Sequence, residues 1–139
     1  MRISTKGRYA IRLMIDLAEH NNGTPVSLKE VAARQSISEK YLEQIISLLN
    51  KAGFVKSIRG AQGGYLLMGQ PEDYTVGRIL RLTENVLAPA EAEEEDLPGI
   101  VVTNLVWKRM DEAIAQVIDH VTIADLITWE QELGGTYMI

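Results

Sequence analysis

The stretch Ser38-Glu39-Lys40-Tyr41-Leu42-Glu43-Gln44-Ile45-Ile46-Ser47-Leu48-Leu49-Asn50-Lys51-Ala52-Gly53 decides the fold. Ser38 is placed as an N-cap, since its hydroxyl can accept an orphan N–H of the first turn, and Gly53 can take the left-handed conformation that ends a helix. Between them Leu42, Ile45, Ile46, Leu48 and Leu49 recur at three- and four-residue spacing and predict one buried stripe. Glu39, Lys40, Glu43, Gln44, Ser47 and Lys51 fall largely outside it. Upstream, Ser27 caps a shorter helix carrying Leu28, Val31 and Ala32, and only Gln35-Ser36-Ile37 separates the two. That spacing fits a helix-turn-helix, whose second helix presents its N-terminal residues to the major groove of DNA. Helix pairs of this kind also occur in domains that bind no nucleic acid, so the pair alone does not decide function.

The next residues add weight. Phe54-Val55-Lys56-Ser57-Ile58 and Tyr65-Leu66-Leu67-Met68 are β-type runs, and Arg59-Gly60-Ala61-Gln62-Gly63-Gly64 supplies the glycines a hairpin loop needs. A tip carrying Arg59 and Gly60 with little side-chain bulk suits a narrow minor groove, whose negative potential attracts a guanidinium. The other reading is a surface hairpin with a solvated arginine.

With 139 residues, 46% of them hydrophobic, the chain can bury one ordinary core. Its apolar runs are short and the N-terminus opens no signal segment, so a cytoplasmic location is expected. Cysteine is absent, which excludes disulfides, cysteine nucleophiles and thiolate-held metals. His20 and His120 lack paired-ligand spacing and are read as structural; no cofactor and no metal site is expected. The formal charge of −5 is unevenly spread: residues 1–85 hold twelve Lys and Arg against eight Asp and Glu, and residues 86–139 hold two against eleven. The N-terminal part can therefore attract phosphates while the acidic C-terminal part stays away from them.

A first helix is predicted from Ser4 or Thr5 to about Asn21, burying Tyr9, Ile11, Leu13, Met14, Leu17 and Ala18. Arg2, Lys6 and Arg8 cluster at its entry, where cations oppose the helix dipole. Contact with DNA phosphates supplies the rationale that helix stability does not. After the hairpin, Thr75 caps a helix through Val76, Ile79, Leu80 and Leu82. The acidic, proline-bounded run from Ala88 to Gly99 reads as a mobile linker or effector loop, an acidic metal site being the sharper alternative. A long helix from about Val101 to His120 carries a wide apolar stripe, and Thr122 caps a last short helix before a tail, Gly134 to Ile139, expected to be loosely held. The stripe predicts a twofold dimer through Val106, Met110, Ile114 and Val117, which would match two reading heads to a palindromic operator; packing on the first helix is the alternative, and both can hold.

These blocks resemble the Rrf family of bacterial winged-helix transcriptional regulators (IscR and CymR type). The likeness rests on Met1-Arg2-Ile3-Ser4-Thr5-Lys6-Gly7-Arg8-Tyr9-Ala10, Tyr41-Leu42-Glu43-Gln44, Ser57-Ile58-Arg59-Gly60-Ala61-Gln62-Gly63-Gly64-Tyr65 and Thr122-Ile123-Ala124-Asp125-Leu126. Four blocks in the right order span almost the full length. The resemblance implies a homodimer crossed through the long helix, a recognition helix beginning near Ser38, and Arg59 reaching the minor groove. It also marks a departure: cluster-binding members carry three cysteines around the loop and a histidine shortly before a tryptophan that matches Trp107. Here Ala88 to Val102 holds no cysteine, and Asn104 stands where that histidine would be. The cysteine-free loop and the Tyr137-Met138-Ile139 ending resemble the cysteine-metabolism repressors, governed through a partner enzyme of cysteine synthesis.

The expected architecture is mainly α: a winged helix-turn-helix domain over 1–83, an acidic loop over 84–100, and dimerisation and C-terminal helices over 101–139. The expected activity is sequence-specific DNA binding by a dimeric repressor of cysteine or sulfur metabolism genes. The alternatives are a cluster-free form of an iron-sulfur-cluster-biogenesis regulator and a winged helix that only docks proteins. An enzyme is not expected, for Gly60 to Gly64 lacks the lysine and following hydroxyl of a nucleotide loop. Ser38, Lys40, Tyr41, Glu43 and Gln44 are assigned to the major groove, Gln44 as an adenine reader, with Glu43 restricting the sites bound. Arg2, Lys6, Arg8 and Lys56 are assigned to phosphates, and Arg59 with Gly60 to the minor groove.

Overall fold

Hydroxyl caps start every α-helix among the described residues except the one that begins at Pro98. Ser4, Ser27, Ser38 and Thr75 accept from the N–H of Gly7, Glu30, Tyr41 and Arg78 respectively, each satisfying an orphan donor of a first turn. The computed structural model describes residues 1–137. Their order is α1 (Thr5–Glu19), α2 (Leu28–Gln35), α3 (Glu39–Lys51), β1 (Val55–Ile58), β2 (Gly64–Leu67), a 3-10 turn (Pro71–Asp73), α4 (Val76–Thr83), α5 (Pro98–Ile118) and α6 (Ile123–Tyr137). Thr122 caps α6 reciprocally: its Oγ1 accepts from the Asp125 N–H at 3.1 Å and its N–H donates to the Asp125 carboxylate at 2.9 Å.

The boundaries of α1, α5 and α6 differ from the expectation, and α1 stops at Glu19 with His20 as its C-cap rather than near Asn21. α5 begins at Pro98 rather than near Val101, because proline at the first helical position has its φ already set and lacks only an N–H that would be orphaned anyway. α6 is not short, and the tail from Gly134 is helical through Tyr137 rather than loose. A helix already nucleated continues over glycine at a cost of only about 1 kcal/mol. Met138 and Ile139 lie outside the described residues.

The predicted stripe of α3 is the centre of the core: Leu42, Ile45, Ile46 and Leu49 are buried, with Leu48 half-buried. It shares one cluster with Leu13, Met14 and Leu17 of α1, Val31 of α2, Val55 and Leu67 of the hairpin, Ile79 of α4 and Ile123 of α6. β1 and β2 pair antiparallel with Val55 opposite Leu67 and Ile58 opposite Gly64. Val26, in the loop before α2, adds a one-residue third rung through paired bonds with Tyr65 of 3.0 and 2.8 Å. The Tyr74 hydroxyl ties the hairpin base, accepting from the Gly69 N–H at 2.7 Å and donating to the Phe54 carbonyl at 3.1 Å. No helix among the described residues is long and apolar enough to cross a membrane.

A buried charge fixes the helix pair. Asp16 of α1 is only 2% exposed. Arg34 at the end of α2 meets its carboxylate with two bonds of 3.1 and 2.8 Å, and the Gln35 amide adds a third at 3.1 Å. Burial alone would raise the pKa of Asp16, but those bonds and the charges of Arg34 and His20 outweigh it and hold the carboxyl below its ordinary value. At the far end of α1, Glu19 faces Glu130 of α6; partial burial first, then the bond and charge of Glu130, push its pKa up to about 7.

The depressed pKa of Asp16 has a definite sign. Its contribution is present above the ordinary value of 3.8 and is lost as pH falls through the lower folded value. Asp16→Asn should lower unfolding stability at pH 7 by about 1–3 kcal/mol, as loss of charge-assisted bonds to a part-exposed arginine does. Urea titrations across the acid range should find the variant's stability flatter than the parent's below about pH 4.

Candidate nucleic-acid interface

Ser36, with φ +55°, turns the chain between α2 and α3. The turn leaves Ser38, Lys40, Glu43, Gln44 and Ser47 exposed on one face of α3 while the stripe faces inward. Ser38 Oγ is occupied by the Tyr41 N–H at 3.0 Å. Lys40, Glu43 and Gln44 have no side-chain bond or ion pair among the described residues, so their polar ends are available. Tyr41 stands apart from them: it is half-buried, its ring meeting that of Tyr9 on α1 at 5.4 Å between centroids and 76° between planes.

The wing is built by close backbone approach. Gly60 has φ +119°, and its carbonyl accepts from the Gly63 N–H at 3.0 Å, which closes the tip with Arg59 exposed beside it. A Cβ on Gly64 would overlap the Val26 carbonyl where the third rung crosses. Lys56 is exposed on β1.

Four cations of the basic N-terminal part are tied into the fold. Arg34 holds Asp16, Arg12 donates to Gln35, Arg78 donates to the Asp73 carbonyl at 2.6 Å over the Phe54 ring, and Arg81 pairs with Asp119, the C-cap of α5, at 2.5 and 3.0 Å. Arg2, Arg8, Lys40, Lys56 and Arg59 have no ion pair or side-chain bond among the described residues, and neither do Lys29 and Lys51, which the sequence reading left unassigned. Lys6 needs a correction to its rationale. The Glu84 carboxylate, from the end of α4, accepts from the Ser4 N–H and hydroxyl at 2.6 Å each and from Thr83 at 2.8 Å. Burial would raise its pKa, but these bonds and the Lys6 charge lower it. A carboxylate therefore sits at the N-terminus of α1, and the Lys6 charge beside it has a role in the fold. Arg8 lines an apolar cavity of about 560 Å³ between α1, α4 and α5.

α5 has no buried residue. Val106, Met110 and Val117 are 49%, 43% and 62% exposed, and Val101, Val102 and Leu105 continue the bare stripe toward its start. Ile114 differs in being half-buried, and it lines the apolar cavity together with Val117. The acidic loop is fastened at one point: the Asn104 amide donates to the Glu93 carbonyl at 2.9 Å and accepts from its N–H at 3.1 Å. Both histidines bond backbone carbonyls of their own helices, His20 to Asp16 and His120 to Gln116. Among the described residues no three His, Cys, Asp or Glu side chains converge as a metal site would require.

Residues 3–128 match the Rrf2 family, described as an iron-dependent transcriptional regulator. The chain is 42% identical over 138 residues to the transcriptional regulator CymR of Bacillus subtilis, covering 99% of this chain and 98% of that one. It is 37% identical over 136 residues to the transcriptional regulator IscR of Erwinia tasmaniensis, covering 96% and 82%. Among solved structures, that of B. subtilis CymR, described as the global cysteine regulator, superposes with a TM-score of 0.84 at 43% identity over 93% of this chain and 98% of that one. The residues present do not fit the iron of the family's description, since the sequence has no thiolate and no histidine and carboxylate set converges among the described residues.

Gly64→Ala should weaken the wing, because its Cβ would strike backbone rather than a movable side chain. Overpacking of this kind costs about 1–3 kcal/mol. Hydrogen exchange of the Tyr65 amide, bonded to Val26, should accelerate more than that of the α3 amides.

Proposed function

Because this chain belongs to the Rrf2 family of transcriptional regulators, we propose that it works as a dimeric, sequence-specific repressor of genes of cysteine and sulfur metabolism. It is a DNA-binding regulator and not an enzyme. The observation that carries the finer reading is the likeness to CymR, 42% identical over 138 residues, joined to a sequence without cysteine. A cysteine-less chain cannot hold a thiolate-bound cluster.

In this reading Lys40, Glu43 and Gln44 meet base edges, with Ser38 and Tyr41 shaping the first turn that carries them. Arg2, Lys6, Arg8 and Lys56 hold phosphates, and Arg59 with Gly60 enters the minor groove. Residues 1–83 supply the DNA surface, 101–139 the dimer helix and its support, and 84–100 a loop that receives the regulatory input. A cysteine-synthesis enzyme is the proposed partner there, and the acidic run from Glu91 to Asp96 offers it a surface complementary to basic side chains.

The test is DNA binding with fragments from upstream of sulfur-assimilation genes and of cluster-assembly genes, with and without the enzyme. Retention of the first set and a response to the enzyme are expected. Binding only to the second set would favour a cluster-free regulator of cluster assembly, and no salt-sensitive binding at all would favour protein docking. Affinity should fall steeply with salt, since each phosphate contact adds about 0.9 to the log–log slope. Gln44→Ala should lose roughly 1–3 kcal/mol of discrimination at one base pair, whereas Lys56→Ala should weaken all sequences alike. Arg59→Ala should weaken sites with A·T-rich flanks most.

Assembly is checked separately. Val106→Asp and Val117→Asp alter side chains already exposed in the single chain, so each should leave a folded protein. In a dimer each would bury an unpaired charge. Sedimentation velocity should show a dimer for the parent and a monomer for both variants at micromolar concentration.

A further inference from the structure

We propose that Tyr9 and Arg12 of α1 are positioning residues for DNA reading: they lock the first turn of α3, and with it the register of Lys40 and Gln44 on the base pairs. The inference rests on the assignment of α3 as the reading helix and concerns residues that do not themselves reach bases.

Tyr9 and Arg12 lie one turn apart on α1. The Arg12 guanidinium sits over the Tyr9 ring, 5.4 Å from its centroid. Its Nε donates to the Gln35 side-chain oxygen at 3.3 Å, and its Nη2 donates to the Gln35 backbone carbonyl. Gln35 is the last residue of α2, so that carbonyl is one of the acceptors a helix end leaves unsatisfied. Arg12 thus closes α2 where Ser36 turns the chain toward α3. The Gln35 amide continues to the buried Asp16 at 3.1 Å, which anchors this end of the network in the core. On the other side of Tyr9, the edge-to-face contact with Tyr41 reaches the first turn of α3, whose N–H is held by Ser38.

The chemistry of these contacts differs from that of the rest of the α3 packing. Leu42, Ile45, Ile46 and Leu49 hold the helix by apolar burial, which is strong but weakly directional and tolerates a small roll about the helix axis. The Tyr9–Tyr41 pair is directional, because ring quadrupoles favour particular approach angles. Arg12 steadies the Tyr9 ring from its face and is itself fixed by the α2 terminus. With its guanidinium engaged in this way, Arg12 is not a phosphate contact despite its place in the basic part of the chain. The Tyr9 hydroxyl has no partner among the described residues, and a role for that hydroxyl is what the test must separate from a role for the ring.

The unmodified full-length protein is used to select an operator from a randomised duplex pool. Dissociation constants for that operator and a scrambled duplex are then measured at two salt concentrations, with melting temperatures, for the parent and for Tyr9→Phe, Tyr9→Leu and Arg12→Met. Tyr9→Leu and Arg12→Met should reduce the operator-to-scrambled ratio by about tenfold, the scale of one blunted base readout. Scrambled-duplex affinity and the salt slope should stay unchanged, and Tyr9→Phe should keep the parent ratio. An unchanged ratio in both disruptive variants overturns the proposal. So does an equal loss on both duplexes with a shallower salt slope, which marks a phosphate contact, or a Tyr9→Phe loss as large as that of Tyr9→Leu, which assigns the effect to the hydroxyl. Should Tyr9→Leu fail to fold, Arg12→Met decides by the same ratio. If the parent selects no operator, the DNA assignment of α3 fails and this role falls with it, a result distinct from every variant outcome.

Discussion

An ionised carboxylate inside a core costs several kcal/mol unless charge and hydrogen bonds surround it, and Asp16 satisfies that demand with Arg34 and Gln35. The constraint runs outward from there. α2 cannot slide along α1 without stranding the carboxylate, so the angle between the two helices is fixed by electrostatics as well as by packing. Gln35, held by Asp16, presents its carbonyl to Arg12, and Arg12 supports the Tyr9 ring that meets Tyr41. A charge buried behind the helix pair thereby governs the posture of the helix in front of it.

The same accounting separates structural from available charge. Arg12, Arg34, Arg78 and Arg81 have partners within the chain, and Glu84 answers the N-terminus of α1. What remains without an ion pair among the described residues includes Arg2 and Arg8 at the α1 entry, Lys40 on the outer face of α3, and Lys56 and Arg59 of the wing. Net charge over the whole chain hides this division, because a polyelectrolyte partner responds to the local field and not to the sum.

α5 is an exception to the packing logic that holds elsewhere. Its C-cap Asp119 is fastened to Arg81 of α4, and Asn104 ties the acidic loop to its first half, yet no residue along it is buried. A contiguous exposed apolar stripe on the longest helix is the feature expected of a helix that finds its partner in another chain, which is why the twofold assembly is proposed on this face and not elsewhere.

Much of this was legible in the sequence. Ser4, Ser27, Ser38, Thr75 and Thr122 as caps, the apolar stripe of α3, the glycine-rich hairpin loop and the absence of cysteine all act through near neighbours or composition, so one-dimensional patterns express them fully. The sequence by itself therefore determined the helix-turn-helix, the wing, the family and the exclusion of a thiolate-held cluster. Only the tertiary structure decided that Asp16 is buried, that Glu84 caps a helix from the far end of the domain, that Tyr41 leans on Tyr9, and that Ile114 is half-buried while Val106 and Val117 are exposed. Those facts depend on which residues distant in sequence come together. Local periodicity carries no record of such meetings, because an aspartate on an amphipathic helix reads as solvated until a specific arginine arrives to pair with it.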